Sequence, residues 1–309
     1  MERKREEKEE KIMKELVVFS TFDGIGGGRI ALDRLGISVK TYYASEIEKN
    51  AIVIMQHNYP DTVQLGDITK IDGTSYKGKI DLFIGGSSCT SLSIAQPDRK
   101  EFEGESGLFY EYVRLLNEIQ PTYFLLENVN SMSQEAKTEI TRLMGVEPIM
   151  INSASLSAQN RKRLYWTNIP NVTQPESKEV KLQDILEYGY ADRDKSLCIA
   201  RRYAGCGGSQ SYLCRRYFGK SFYQIVFKDK ESRDYLRDKW KENSYFKEED
   251  IPENDMCRPL TPLECERLQT LPENYTACIS SRNARIEAIG NGWTIDVICH
   301  LFKGLREAY

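Results

Sequence analysis

The chain has 309 residues, 40% hydrophobic and 29% charged, a balance that suits a soluble globular protein and excludes collagen-like, disordered and coiled-coil readings. Its 43 Lys and Arg against 46 Asp and Glu leave a formal charge of -3, so any nucleic-acid surface must be a local patch. No segment approaches the ~18 apolar residues of a membrane span, and the start MERKREEKEEKIMKE lacks the apolar core of a signal peptide, which points to a cytoplasmic protein with no membrane partner.

Residues 1–15 hold six acids and six bases, with Glu7/Lys11 and Glu10/Lys14 spaced i,i+4, and predict a charged helical extension. From Leu16 the pattern changes to short apolar runs at 16–20, 39–44, 80–86 and 122–127. Runs of this length between turn residues suit strands buried on both faces of a parallel sheet. Residues 29–35, 49–57, 107–119 and 134–144 read as crossover helices, so the fold class is α/β, a doubly wound Rossmann-like sheet. Ligands in such sheets bind beyond the C-terminal ends of the strands. After Pro170 the rhythm is lost, and 171–256 is a candidate second domain, polar, aromatic and irregular. Helical periodicity then resumes, so 257–309 is expected to rejoin the first domain, 16–170.

The eight cysteines (Cys89, Cys198, Cys206, Cys214, Cys257, Cys265, Cys278 and Cys299) form no C-x-x-C pair, and His57 and His300 are the only histidines. That argues against structural zinc and against a disulfide framework, and no metal site is expected. Between 193 and 220 seven bases, among them Arg201, Arg202, Arg215 and Arg216, face a single acid, Asp194. Tyr203, Tyr212, Tyr217 and Phe218 are interleaved with them, a mixture suited either to phosphate and base contact or to a solvated loop.

The first strand runs into Thr21-Phe22-Asp23-Gly24-Ile25-Gly26-Gly27-Gly28, a glycine-rich turn before a helix. A dinucleotide fingerprint starting at Gly24 would need glycine where Arg29 stands, which disfavours NAD and FAD. Glu46 ends the second strand and could accept from ribose hydroxyls; Asp67, in Leu65-Gly66-Asp67-Ile68, could accept from an adenine amine. Gly85-Gly86-Ser87-Ser88-Cys89-Thr90-Ser91 then puts a thiol on a small-residue loop at the ligand edge. Cysteine there is a candidate nucleophile. Glu127, ending the next strand before Asn128-Val129, is a candidate proton donor.

In order and wording these segments resemble the DNA (cytosine-5)-methyltransferase family, nearly along the whole chain. FDGIGGG resembles its S-adenosyl-L-methionine loop, GGSSCTSLS its nucleophile loop, ENV its glutamate motif and Gln159-Asn160-Arg161-Lys162-Arg163 its Q-x-R-x-R motif. RPLTPLECERLQTLPENY resembles the segment after the target-recognition region, and Gly290-Asn291-Gly292-Trp293 the closing cofactor motif. SLSIAQPDRKEFEGESGLFYEYVRLL and EPIMINSASLSAQNRKRLYWTNIP look like the animal de novo branch, while the absence of a fused reader domain suggests a compact bacterial or phage member.

The resemblance implies methyl transfer from S-adenosyl-L-methionine to C5 of a cytosine flipped out of double-stranded DNA, within a short target sequence. Cys89 would add to C6, Glu127 would hold and protonate N3, and Arg161 and Arg163 would support the base and that glutamate. Phe22, Asp23, Gly24 and Gly26 would form the cofactor loop, with Asn291 and Trp293 closing it. Glu46 with Ile47 would take the ribose, and Asp67 with Ile68 the adenine. Asn128 would help position the glutamate loop, Ser87 and Asn128 would bind the substrate, and 171–256, with Arg201, Arg202, Arg215 and Arg216, would contact it as a target-recognition domain.

One departure is Ser88, where the family has proline before the nucleophile. Proline's stiffening is worth ~0.4–1 kcal/mol, less than the ~1.4 kcal/mol of a tenfold rate change. A slower but live enzyme is expected. Three alternatives stand beside this reading. A tRNA cytosine-5 methyltransferase would share the framework, but the Cys-Phe-Thr signature of that branch is absent; transfer to an exocyclic amine would bring a [DNS]-P-P-[YFW] loop, and the chain has no adjacent prolines. An inactive DNA-binding homologue is argued against by the intact Cys89, Glu127, Arg161 and Arg163. Whether a cognate restriction endonuclease accompanies the protein, or it acts as an orphan, stays open, as does its oligomeric state.

Overall fold

The computed structural model describes residues 15–87, 107–219, 223–251 and 255–308. The charged stretch 1–14, Ser88, Cys89 and Lys220 lie outside the described residues.

Nine strands and ten α-helices are present among the described residues. Strands β1 (Leu16–Thr21), β2 (Val39–Ser45), β3 (Val63–Gln64), β4 (Leu82–Gly86) and β5 (Tyr123–Val129) are parallel. They alternate with helices α1 (Gly27–Arg34), α2 (Lys49–Asn58), α3 (Leu108–Ile119) and α4 (Gln134–Met144). Strands β6 (Ile149–Asn152) and β7 (Lys162–Thr167) complete a seven-stranded sheet ordered β3-β2-β1-β4-β5-β7-β6. β7 runs antiparallel to both its neighbours.

This is the expected doubly wound Rossmann-like fold, and the period-2 geometry of strands explains its two cores. Val18 of β1 and Leu82 and Ile84 of β4 face one side, where α1 and the C-terminal helix α10 (Ile295–Ala308) pack. Phe19, Phe83 and Leu126 face the other, against Phe109, Tyr112 and Leu115 of α3 and Ile140 of α4. α10 buries Ile295, Val297, Ile298, Leu301, Phe302 and Leu305, an i,i+3/i+4 stripe.

Strand order reverses between β1 and β4, so the carboxyl ends of these two strands open the crevice where ligands bind in such sheets. Because β7 is antiparallel, its first residues lie beside the last residues of β5, with Val129 opposite Arg163. The Q-x-R-x-R segment thus reaches the same edge as the ends of the parallel strands.

Residues 171–256 are less irregular than their sequence suggests. They hold α5 (Leu182–Ile185), α6 (Gln210–Phe218), α7 (Lys230–Asn243) and β8 (Ile225–Phe227), and β8 pairs with β9 (Cys257–Pro259) in a small second sheet. Phe218, Phe227, Trp240 and Phe246 pack ring against ring within 6.2 Å. Helices α8 (Pro262–Leu268) and α9 (Arg282–Asn291) then lead back to α10. No helix among the described residues is long and apolar enough to cross a membrane.

Candidate active site

β1 leaves the sheet through Phe22, which adopts φ 52°, and turns into α1 through Gly24 and Gly26 at φ 59° and 78°. Gly26 is required twice over: its φ is left-handed, and a Cβ there would lie 2.2 Å from Met55 Sδ. Glu46 ties this turn to the end of β2, because one oxygen accepts from Gly24 N–H at 2.8 Å and the other from the Ile47 and Glu48 N–H groups at 2.7 and 2.9 Å. Carboxylate oxygens carry two lone pairs each, so acceptor capacity remains. Ile47 beside it is exposed and Ile68 is buried. Asp67 accepts from Thr69 N–H and Oγ1 at 3.0 and 2.8 Å, bonds that hold its carboxyl below the ordinary aspartate range.

Asp23 is the anomaly of this edge. Tyr42 Oη donates to its Oδ1 at 2.8 Å, whereas Oδ2 is buried without a hydrogen-bond partner among the described residues. Loss of water raises its pKa to about 7, against the opposing effect of the Ser20 and Tyr42 hydroxyls. Tyr42 has no sequence signal of its own, since it reads as one more aromatic of a strand.

At the end of β4, Ser87 Oγ accepts from Asn128 Nδ2 at 3.1 Å, and Asn128 Oδ1 accepts from Val129 N–H at 2.7 Å. Both side chains are buried, so the exit of β4 is fixed against the end of β5. One residue earlier on β5, Glu127 meets Arg163 of β7, with Nε 2.8 Å from Oε1. Its other oxygen accepts from Trp293 Nε1 at 3.0 Å.

Arg161, expected beside Arg163 at the glutamate, is turned elsewhere. Strand alternation sends residues 161 and 163 to the same face, but the Arg161 guanidinium is buried and donates to the carbonyls of Ile199, Gly290 and Gly292 at 2.7, 3.3 and 2.9 Å. Gln159 donates to Leu268 O and Gln269 Oε1, both at 2.7 Å, and Gln269 in turn donates to the carbonyls of Ile289 and Gly292. Gln159 stands in the Q-x-R-x-R motif and Gln269 in the RPLTPLECERLQ segment; as an uncharged pair distant in sequence they gave no signal of meeting. Together with Arg161 they fix the turn that carries Asn291, exposed at the end of α9, and Trp293.

Residues 16–307 match the family described as C-5 cytosine-specific DNA methylase. The chain belongs to that family. Orphan methyltransferase M.SPRI of Bacillus phage SPR is 34% identical over 193 residues, 57% of this chain but only 44% of the phage protein, so the match spans less than half of that relative. Type II methyltransferase M1.ScrFI of Lactococcus lactis subsp. cremoris is 29% identical over 93% of this chain and 77% of its own. Among solved structures, a mutant of Spodoptera frugiperda DNMT2 superposes with a TM-score of 0.73 at 17% identity, covering 94% of this chain and 99% of that one. At that identity the likeness establishes the fold.

In this family member the basic segment differs from its reading by composition. Tyr203 and Tyr217 are buried, and Tyr212 is the exposed ring among the interleaved tyrosines. Lys195 donates to three main-chain carbonyls, those of Ala154, Ser157 and Val180. Arg201 pairs with Glu48 and Glu287 at 3.5 and 3.6 Å, acids far outside the counted window. Arg215 lies over the Tyr245 ring and Arg216 over Tyr223, each about 5 Å from the centroid, and Arg202 is exposed. A local charge count taken along the chain overstates the field because folding brings distant acids to it.

Proposed function

We propose that this chain transfers a methyl group from S-adenosyl-L-methionine to C5 of a flipped-out cytosine in double-stranded DNA. The observation that carries the reading is the Glu127–Arg163 pair at the end of β5, in a chain whose residues 16–307 match the cytosine-5 methylase family.

The cofactor fits the residues present. A buried, unpartnered Asp23 oxygen suits a cation-bearing ligand, and acids follow two successive strands, Glu46 and Asp67. Phe22, Gly24, Gly26, Ile47, Ile68, Asn291 and Trp293 would complete its surroundings. When bound, S-adenosylmethionine supplies an electrophilic methyl group.

The chemistry of the chain's own residues follows. Cytosine C5 is a weak nucleophile until C6 carries an electron-donating adduct. The Cys89 thiolate would form a bond to C6, the ring electrons moving to N3, and Glu127, oriented by Arg163, would deliver a proton there. C5 becomes an enamine carbon able to take the methyl; loss of its hydrogen as a proton to water, return of the N3 proton to Glu127 and expulsion of Cys89 as thiolate restore the aromatic ring. Reaching C6 requires the nucleotide to leave the stack at a cost of a few kcal/mol, and contacts from 171–256, including Arg202 and Arg216, would offset it. Ser87 and Asn128 would set the exit of the nucleophile loop, and Arg161 would act from behind, through the turn 290–293.

The test is incorporation of tritium from methyl-labelled S-adenosylmethionine into duplex DNA and, separately, into tRNA. Duplex DNA is expected to be labelled, and Glu127→Gln to lower the rate about 100-fold or more, the usual worth of a positioned general acid. Labelling of tRNA alone, or an unaltered Glu127→Gln rate, would contradict the reading.

A further inference from the structure

Trp293 stands between two parts of the site. Its Cβ and Cε3 lie 3.5 Å from where a side chain on Gly27 of the cofactor loop would begin, and its indole N–H points the other way, to Glu127 Oε2 at 3.0 Å. The space for that bond exists because residue 86 has no side chain: a Cβ on Gly86 would fall 2.9 Å from Glu127 Oε2 and 3.0 Å from Trp293 Nε1.

The chain on either side of Trp293 is held by polar groups. Arg161 and Gln269 both donate to Gly292 O, at 2.9 and 3.0 Å, and Thr294 Oγ1, itself a donor to Gln269 Oε1 at 2.8 Å, accepts from Ser153 Oγ at 2.9 Å. Buried and mutually satisfied, such a network has one arrangement. It delivers a rigid donor to a carboxylate whose other oxygen is already fixed by Arg163.

We propose that Trp293 is a positioning residue for Glu127, its indole N–H fixing the rotation of the carboxyl group that addresses the cytosine. This rests on the reading given under Proposed function. A carboxylate gripped at one oxygen turns about its terminal torsion, which is broad and soft; gripped at both, it presents its remaining lone pairs in one direction. The Gln159/Arg161 half of the Q-x-R-x-R segment then acts through the same indole, while Arg163 acts directly.

Two measurements test it. The chain has three tryptophans, so its indole N–H resonances in a nitrogen-15 correlation spectrum are three and can be assigned by deletion, Trp166→Phe removing one and Trp240→Phe another, which leaves that of Trp293. Glu127→Gln leaves Trp293 in place and is expected to move its indole proton by at least about 0.3 ppm, because a charge-assisted bond becomes a neutral one, while the resonance of Trp166, bonded to Thr141, stays put. An unmoved Trp293 resonance overturns the proposal even if Trp293→Phe fails to fold.

In the second, Trp293→Phe keeps an aromatic ring but no donor. Single-turnover methylation of DNA is expected to slow about tenfold, with cofactor affinity by calorimetry within threefold of the parent. An unchanged rate, or a loss explained wholly by cofactor affinity, overturns the proposal and leaves the proposed activity standing. Absence of methyl transfer by the parent protein itself overturns the activity and the proposal with it.

Discussion

Folding disfavours the ionised form of Asp23. An aspartyl pKa raised from 3.8 to about 7 by burial means that the native protein holds a proton which the unfolded chain releases above pH 4. With more protons bound in the native state, stability falls as pH rises through the window from about 4 to about 7, and levels off above it. Tyr42 and Tyr275, which face the group from β2 and from the loop after α8, do not titrate in that range, because burial pushes both phenols up. Glu46 opposes the ionised form. Asp23→Asn is therefore expected to gain roughly 1–3 kcal/mol over the parent between pH 5 and 7.5 in urea denaturation followed across pH. A difference that is constant with pH would show that Asp23 is ionised throughout.

At the scale of elements, legibility followed burial. β1, β2, β4 and β5 were legible because central parallel strands are apolar on both faces, and α3 because Phe109, Tyr112, Val113 and Leu115 recur at helical spacing. β6 and β7 carry no strand signal of that kind: Met150 and Lys162 face solvent and Arg163 faces the site, so an antiparallel edge pair lacks a continuous apolar run. α7 is silent in the sequence for a related reason, since of its 14 residues only Ser232 and Leu236 are buried and the hydrophobic stripe that betrays a helix is absent. α8 shows the opposite case, a segment whose wording is strong because its polar groups are structural. Thr261 and Glu264 form a capping box, and the fully buried Glu266 accepts from Asn274 N–H, Thr276 N–H, Thr276 Oγ1 and Arg285 Nη2 between 2.5 and 3.0 Å. Removing that carboxylate strands four donors at once. Glu266→Ala is expected to cost about 3–5 kcal/mol in chemical denaturation; a cost under 1 kcal/mol would mean that the donors find water.

Across the whole molecule, the candidate site is assembled from the turn after β1, the ends of β4 and β5, the start of β7 and the turn between α9 and α10. Glu127 was legible as an acid ending a strand beside a thiol-bearing loop, whereas Arg163 and Trp293 were legible only through the resemblance of their segments, Q-x-R-x-R and Gly290-Asn291-Gly292-Trp293, to family motifs. What could not be read was who holds whom: Trp293 touching Glu127, Arg161 bonded to the 290–292 carbonyls, and the basic segment partly neutralised by Glu48 and Glu287 all depend on contacts more than 30 residues apart. Pairings of that kind are set by the sheet order and by the return of the C-terminal helices onto β1 and β4, and no local pattern encodes them. The same assembly gives the proposed activity one decisive assay, bisulfite sequencing of plasmid DNA from a host without cytosine methylation of its own, expressing either this protein or Cys89→Ala. Conversion-resistant cytosines confined to one short motif in the parent, and absent with Cys89→Ala, are the expected result; full conversion of every cytosine by a folded, cofactor-binding parent would contradict methyl transfer to DNA.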